Sequence, residues 1–244
     1  MPLTVEIWSD VVCPWCYIGK RRFEAALGRF AHKDQVEVEW RSFELDPHAT
    51  SVRAPGEGPD HADVLASKYG MSRAQAEAAI GNVTAAAAAE GLDFHLDVSL
   101  RSNTFDAHRV IHLAAARGIQ DAVKERLMRA YFTEGEPVGD RDALVRIAAD
   151  AGLDAVEVEK VLDTDEHADA VRADEAEARA LGITGVPFFV VDRKYGVSGA
   201  QPADQLLAVL ERAWSERSPF TLVGSGRAGT DPDSTACGPD GCPI

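Results

Sequence analysis

Two cysteines separated by two residues stand where a predicted strand gives way to a predicted helix, and this junction constrains the fold more than any other feature. Residues 3–8 alternate β-branched and polar side chains, which predicts a strand. The run CPWCYIGKRRFEAALGRF that follows has helical spacing of its apolar residues. Pro14 then occupies the first helical position, where its missing N–H costs nothing. The pattern predicts that Cys13 and Cys16 lie within one turn at a helix N-terminus.

The strand signals are confined to the two ends of the sequence. Residues 36–40 alternate with period two and complete an opening β-α-β unit, whereas residues 188–191 and 195–198 predict a hairpin before a helix that begins at Pro202. The helices predicted between these ends cover residues 72–91, 103–118, 120–133, 141–151, 155–162 and 166–181. We therefore expect an α/β fold with a small mixed sheet, interrupted by one large all-helical insertion.

The same pattern predicts the domain boundaries. Residues 1–59 and 182–215 are expected to form one domain, and residues 60–181 a helical insertion domain. Residues 216–244 are rich in Ser, Gly, Thr, Asp and Pro, which predicts a flexible tail, and this tail carries Cys237 and Cys242.

Charge and hydropathy exclude several classes of function. The formal net charge of -15 argues against a nucleic-acid backbone or an anionic membrane as the main partner. No apolar run approaches the ~20 residues of a membrane span, and the first twelve residues do not resemble a cleavable signal. We expect a cytoplasmic protein, in which a cysteine pair is more often catalytic or metal-binding than a structural disulfide.

The position of the pair predicts its chemistry. A helix N-terminus supplies unpaired N–H groups and a partial positive charge, which favour thiolate over thiol. Cys13, at the exposed end, is expected to be the nucleophile, and Cys16, one turn further in, the resolving thiol. A zinc site would need Cys237 and Cys242 as well, and a C-x4-C pair is a poor match for zinc spacings. We therefore predict no metal site and no cofactor.

Three runs, SDVVCPWCYIGKRRFE, SNTFDAHRVIHLA and LGITGVPFFVVD, give the chain a resemblance to the DsbA-like branch of the thioredoxin superfamily. More narrowly, they resemble the FrnE-like cytosolic proteins, over about residues 3–214. The resemblance implies a thioredoxin-like fold with a helical insertion, and a cis peptide between Val186 and Pro187 facing the dithiol. We expect these two residues, with Pro14 and Trp15, to contact substrate, because a cis X-Pro bond leaves the Val186 backbone free to pair with an extended substrate strand.

Two further groups have an open interpretation. Asp10, three residues before Cys13, is either a proton acceptor for resolution of the mixed disulfide or a solvated turn residue. Lys20, Arg21 and Arg22 either form a solvated helix face, which is the interpretation we favour, or act at sulfur.

The run SNTFDAHRVIHLA also has two interpretations. The resemblance implies that Asn103, Thr104, His108 and Arg109 line a cleft between the insertion and the sheet. Alternatively, Asn103 or Thr104 caps a helix, and His108 is an interior histidine with satisfied hydrogen bonds.

The second cysteine pair has turn-forming residues between its members. Pro, Asp and Gly between Cys237 and Cys242 allow a local disulfide. We expect a second redox-active pair that modulates the first, with a structural or incidental pair as the alternative.

The predicted function is thiol-disulfide exchange on protein or small disulfides. Glutathione or a thioredoxin system is a possible reductant. The reducing potential of the cytosol favours reductase or isomerase activity, whereas the resemblance favours oxidation of substrates. Two alternatives stay open. One is a glutathione-dependent isomerase or transferase of the kappa or 2-hydroxychromene-2-carboxylate isomerase type, and the other is a zinc-binding interaction protein.

Overall fold

The computed structural model describes residues 2–51 and 60–217, which form a four-stranded mixed sheet surrounded by helices. The strands are β1 (Leu3–Ser9), β2 (Val36–Ser42), β3 (Phe188–Val191) and β4 (Tyr195–Ser198). The helices are α1 (Pro14–Arg29), α2 (His61–Tyr69), α3 (Arg73–Ala89), α4 (Phe105–Ala116), α5 (Gln120–Phe132), α6 (Arg141–Asp150), α7 (Ala155–Asp163), α8 (Ala168–Ala180) and α9 (Ala203–Ser215). A short 3₁₀ turn (Lys33–Gln35) precedes β2.

The sheet joins the two ends of the described chain. Its strand order is β2-β1-β3-β4, with β1 parallel to β2 and antiparallel to β3. Six of the seven residues of β1 are buried, because this central strand is covered on both faces. The predicted α/β class, with a helical insertion between a β-α-β half and a β-β-α half, is confirmed.

The helical insertion and the sheet share one continuous hydrophobic core. Apolar side chains of β1, α1, α4, α5 and α6 belong to a single buried cluster. Two hydrogen bonds fix α8 against the strands: the Trp8 indole N–H donates to the Asp174 carbonyl at 2.9 Å, and the Ser42 amide donates to the Asp174 carboxylate at 2.8 Å. Residues of the insertion therefore reach the interior behind the first strand.

The free edge of the sheet at β2 is partly closed by a side chain of the insertion. The Gln120 side-chain amide accepts from the Trp40 backbone N–H at 3.0 Å and donates to the Trp40 carbonyl at 2.9 Å. This pair of bonds satisfies backbone groups that an edge strand otherwise exposes. It also fixes the start of α5 beside β2.

Most predicted helices are found within two residues of their predicted ends. The capping box formed by Ser72 and Gln75 is present. The sequence analysis gives no range for helix α2. Strand β2 continues two residues beyond the predicted strand. The predicted domain boundaries remain predictions, and the tail with Cys237 and Cys242 lies outside the described residues. None of the described helices has both the length and the apolar composition to cross a membrane.

Candidate active site

The two thiols of the Cys-x-x-Cys run lie at the N-terminus of α1, as predicted. Cys13 is the N-cap residue with extended backbone, and Pro14 begins the helix. The Cys16 amide donates to the Cys13 carbonyl at 3.0 Å, which closes the first turn. Cys13 is 4% exposed and Cys16 1%, so the order of exposure is the predicted one, but both residues are buried. Both are free thiols, and Trp15 between them is 44% exposed.

The loop before β3 faces the first cysteine. The Val186–Pro187 peptide bond is cis, as the resemblance implies. The Cys13 Sγ atom lies 3.6 Å from the Val186 carbonyl oxygen, to which its S–H can donate. The Pro187 ring packs on Gly19 of α1: a Cβ added to Gly19 would lie 2.9 Å from the Pro187 Cγ atom. Gly19 was not predicted to matter, since a single glycine within a helix gives no signal of what packs against it.

Three ionisable residues form a buried group behind the dithiol. Asp10 is 1% exposed, so its interpretation as a solvated turn residue is wrong. Its carboxylate accepts from the Leu45 amide at 2.8 Å and lies 3.4 Å from the His108 Nε2 atom. Lys124 of α5 is fully buried and its ammonium donates to the Ser9 carbonyl at 3.2 Å. Lys124 was missed because its surroundings are set by residues more than 100 positions away.

Burial and mutual charge shift the pKa values of Cys16 and of the neighbouring Lys124. Burial raises the pKa of the Cys16 thiol well above its usual range, its hydrogen bond and charge interaction with Cys13 raise it further, and Lys124 opposes the shift only in part. Burial lowers the pKa of Lys124 to about 8, against the attraction of Cys16, Asp10 and Cys13. A buried lysine with this pKa is positively charged at neutral pH and loses its charge in mildly alkaline solution.

The carboxylate and the imidazole of the group shift in the same direction. Burial raises the pKa of Asp10, but His108, the Leu45 amide and Lys124 outweigh it, so the pKa is lowered. The pKa of His108 is lowered as well, but here burial is the main cause, and the charge of Lys124 adds to it. At neutral pH the group therefore holds an ionised Asp10, a neutral His108 and a cationic Lys124.

Lys20 is not part of a solvated face, contrary to the sequence interpretation. Its side chain is 2% exposed, and its ammonium forms ion pairs with Glu24, Asp121 at 3.2 Å and Glu125 at 3.1 Å. Three carboxylates compensate for the cost of burying the ammonium. Because Asp121 and Glu125 belong to α5, this cluster holds α5 against α1 and so keeps Lys124 in place.

The structure separates the four residues predicted to line a cleft. The Asn103 side chain accepts from the Phe105 amide at 3.0 Å and donates to the Pro47 carbonyl at 3.2 Å, so it caps α4 and holds the segment after β2. The Arg109 guanidinium binds backbone carbonyls at the end of α7, among them that of Glu166 at 3.0 Å. Thr104 is the buried N-cap residue. Of the four, His108 contacts Asp10 behind the dithiol.

Metal ligands are not clustered in residues 2–51 and 60–217, where no group of three or more His, Cys, Asp or Glu side chains is placed to hold an ion. A four-cysteine zinc site would require Cys237 and Cys242, which lie outside this part of the chain.

Comparison with known proteins agrees with this geometry. The family model of the DSBA-like thioredoxin domain matches residues 4–211. The chain belongs to this family. A curated relative, the uncharacterized protein YwbO of Bacillus subtilis (strain 168), is 30% identical over 193 residues, which are 78% of this chain and 88% of YwbO.

Two solved structures share the fold of this DSBA-like chain. The probable DsbA oxidoreductase SCO1869 from Streptomyces coelicolor is 49% identical, with a TM-score of 0.82 and 99% of each chain covered. The cytosolic disulfide reductase DsbM from Pseudomonas aeruginosa shares the fold at 17% identity, with a TM-score of 0.60 over 87% of this chain and 98% of DsbM.

Proposed function

We propose that this DSBA-like protein is a thiol-disulfide oxidoreductase or isomerase in which Cys13 is the nucleophile and Cys16 the resolving thiol. The observation that carries the proposal is the contrast between two free thiols on one helical turn. Cys13 stands at the N-cap position and its sulfur faces the Val186 carbonyl, while the deeper Cys16 thiol has a strongly raised pKa. A thiol held protonated does not attack first, so the exchange begins at Cys13.

The first step is attack of the Cys13 thiolate on one sulfur of a substrate disulfide. The S–S bond of the substrate breaks, a mixed disulfide with Cys13 forms, and the other substrate sulfur leaves as a thiolate. We assign Pro14, Trp15, Val186 and Pro187 to substrate contact. Trp15 offers an exposed apolar ring, and an extended substrate would lie along the backbone at Val186.

The second step is attack of Cys16 on the Cys13 sulfur, which releases the reduced substrate and leaves a Cys13–Cys16 disulfide. Cys16 must first lose its proton, and Lys124 stabilises the thiolate that results. We assign proton acceptance to Asp10, whose carboxylate lies 3.4 Å from the His108 Nε2 atom. The lowered pKa of Asp10 keeps its carboxylate ionised but makes it a weak base, so Asp10 can hold the proton of Cys16 only transiently.

The Cys16→Ala variant tests this assignment. Without a resolving thiol, the mixed disulfide with Cys13 should persist, so incubation with a disulfide-containing protein should yield a covalent adduct that dithiothreitol releases. The double variant Cys13→Ala, Cys16→Ala is the matched control and should give none. Full activity of Cys16→Ala with glutathione would instead support the isomerase or transferase alternative. Stoichiometric zinc bound by the thiols of freshly purified protein would support the zinc-binding alternative.

The proposed partners are thiol- or disulfide-containing proteins or small molecules, with glutathione or a thioredoxin system as reductant. We also propose a cytoplasmic location, by analogy with DsbM, a disulfide reductase of this fold described as cytosolic. The FrnE-like assignment is part of the same proposal.

We further propose that Cys237 and Cys242 form a second redox pair that exchanges with Cys13 and Cys16. Removal of residues 230–244 should change the rate of disulfide reduction or the reduction potential of the Cys13–Cys16 pair. Unchanged kinetics together with an unchanged potential would contradict a redox role for the tail.

A further inference from the structure

Three histidines lie in a row that leads from the buried group behind the dithiol toward the protein surface. His108 and His112 are four residues apart on α4, so their side chains are neighbours on one face of the helix. The His167 ring, from the residue before α8, stacks on the His112 ring with the two centroids 6.3 Å apart. The exposed fraction of the side chain rises from 1% at His108 to 15% at His112, and His167 is partly exposed. The mechanism proposed above assigns a role to none of the three.

The inner end of the row meets the carboxylate that we assigned as the proton acceptor of Cys16. The Asp10 Oδ1 atom lies 3.4 Å from the His108 Nε2 atom, which is longer than an ordinary N–H···O bond. Among residues 2–51 and 60–217, this oxygen and both ring nitrogens of His108 are buried and have no hydrogen-bond partner. Three unpaired buried polar atoms on two neighbouring side chains are costly and call for an explanation. Hydrogen bonds between proton-transfer groups are often long before substrate binds, and they tighten during the reaction.

The neighbours of Asp10 explain why His108 is the next proton acceptor. The other Asp10 oxygen accepts from the Leu45 amide, and the nearby Lys124 of α5 is a cation at neutral pH. An amide and an ammonium are hydrogen-bond donors, so neither takes a proton from the carboxyl group. His108 is neutral at that pH, so one of its ring nitrogens has a lone pair that accepts a proton. A further titratable group that acts on His108 is His112, one turn along α4.

The outer end of the row is oriented by hydrogen bonds and lies at a cavity. The His112 Nε2 atom lies 3.0 Å from the Asp174 carboxylate of α8 and 3.1 Å from the Ser42 hydroxyl. A carboxylate beside Nε2 favours the tautomer that carries its proton there, which leaves Nδ1 as the proton acceptor. His112 also lines a cavity of about 440 Å³ beside β2. This ring is therefore placed to receive a proton from the interior and to release it outside.

We propose that His108, His112 and His167 form a relay that carries the proton of Cys16 from Asp10 to solvent. The same relay returns a proton when the disulfide of the protein is reduced. The inference rests on the proposed thiol-disulfide activity and adds a proton route to its second step. A route is needed because Cys16 and Asp10 are each 1% exposed, so solvent does not reach the thiol or its proton acceptor.

The step is balanced in atoms and charge. The proton of the Cys16 thiol passes to Asp10 and then to His108 Nε2, while the ring releases its Nδ1 proton toward His112. His112 is one helical turn away, a gap that a water molecule can bridge. The Cys16 thiolate attacks the Cys13 sulfur, the bond from that sulfur to the substrate breaks, and the substrate leaves as a thiolate. Each histidine ends neutral, and one proton reaches solvent.

The first test separates the two steps of exchange in the reduced full-length protein. With excess 2-hydroxyethyl disulfide, formation of the mixed disulfide depends on reagent concentration, whereas formation of the Cys13–Cys16 disulfide does not. Acid quenching followed by mass spectrometry distinguishes the two products. The His108→Gln variant keeps an amide that can hydrogen-bond to Asp10 but carries no proton. We expect its second step to slow about tenfold, less than direct acid–base catalysis contributes because Asp10 is retained, while the first step keeps the wild-type rate constant.

The second test asks whether the row carries a proton or only supports the structure. His112→Ala opens space beside the cavity for imidazole, and its second step should slow several-fold. Imidazole should restore the wild-type rate constant because it is a base at neutral pH, whereas pyrazole, a ring of the same size that stays unprotonated there, should not. A merely structural role would be rescued by both rings or by neither. His95→Ala, which removes an exposed histidine, is the matched control and should keep the wild-type rate constant with no response to imidazole.

Three results would overturn the relay while leaving the oxidoreductase intact. They are a second step in His108→Gln as fast as in the wild type, an equal slowing of both steps in that variant, and an equal response of His112→Ala to imidazole and pyrazole. Failure of the wild type to form the Cys13–Cys16 disulfide with 2-hydroxyethyl disulfide would overturn the proposed function as well.

Discussion

The first turn of α1 and the interior behind it contribute differently to the candidate active site. The first turn supplies the sulfur atoms, and residues within four positions of each other determine its geometry. The interior supplies charge, with Asp10 from the end of β1, His108 from α4 and Lys124 from α5. The reacting atoms are thus encoded locally, whereas two of the three charged or titratable groups behind them, His108 and Lys124, come from the helical insertion. Each prediction below tests one side of this division.

Lys124→Met should have the largest effect, because it removes the buried positive charge that opposes the raised pKa of Cys16. We expect resolution of the mixed disulfide to slow roughly tenfold to a hundredfold, the effect of losing about 1.4 to 3 kcal/mol of charge stabilisation. Stopped-flow measurement of Cys13–Cys16 disulfide formation gives the rate. Lys160→Met removes a lysine that is 67% exposed, and this control should react like the wild type.

The effect of Lys124→Met should depend on pH, in a direction that follows from the pKa of Lys124. Lys124 has a pKa of about 8, so its ammonium is present below pH 8 and is lost as the pH rises above that value. The advantage of the wild type over Lys124→Met should therefore be greatest below pH 8 and shrink above it. An advantage that is constant from pH 6 to 10 would show that the charge of Lys124 does not act on Cys16.

Gly19→Ala should have an intermediate effect, on the loop that faces the thiols and not on the charged interior behind them. The new methyl group would lie 2.9 Å from the Pro187 Cγ atom and must displace the loop that faces Cys13. We expect a several-fold loss of reduction rate and, since overpacking costs about 1 to 3 kcal/mol, a lower free energy of unfolding in urea. The control Gly28→Ala, on the same helix with nothing within 4 Å of the new methyl group, should not destabilise the protein. Equal behaviour of the two variants would mean that Pro187 moves without cost.

Asn103→Ala should have the smallest effect and should separate structure from chemistry within the insertion. It removes a cap of α4, which is worth about 1 kcal/mol, and the link to the Pro47 carbonyl. Urea unfolding should show this loss, while the rate of disulfide reduction at 25 °C should be that of the wild type. Asn82→Ala, at an exposed position of α3, is the control for stability. A rate loss without a loss of stability would instead place Asn103 among the substrate contacts.

The sequence by itself determined the order of elements and the position of the thiols. Period-two alternation marks β1 and most of β2, the Ser72–Gln75 box marks the start of α3, and Pro14 marks the start of α1, because these signals depend on residues a few positions apart. The family resemblance added the cis bond at Pro187.

Tertiary structure alone decided which charged residues are buried. Lys20 and Lys124 look like surface residues in the sequence, since a long polar side chain on an amphipathic helix is normally solvated, and the sequence left open whether Asp10 is solvated. Their burial depends on partners far along the chain: Asp121 and Glu125 for Lys20, the Ser9 carbonyl for Lys124, and the Leu45 amide for Asp10. Burial and pairing energies arise only when the sheet and the insertion pack together, so no local pattern encodes them.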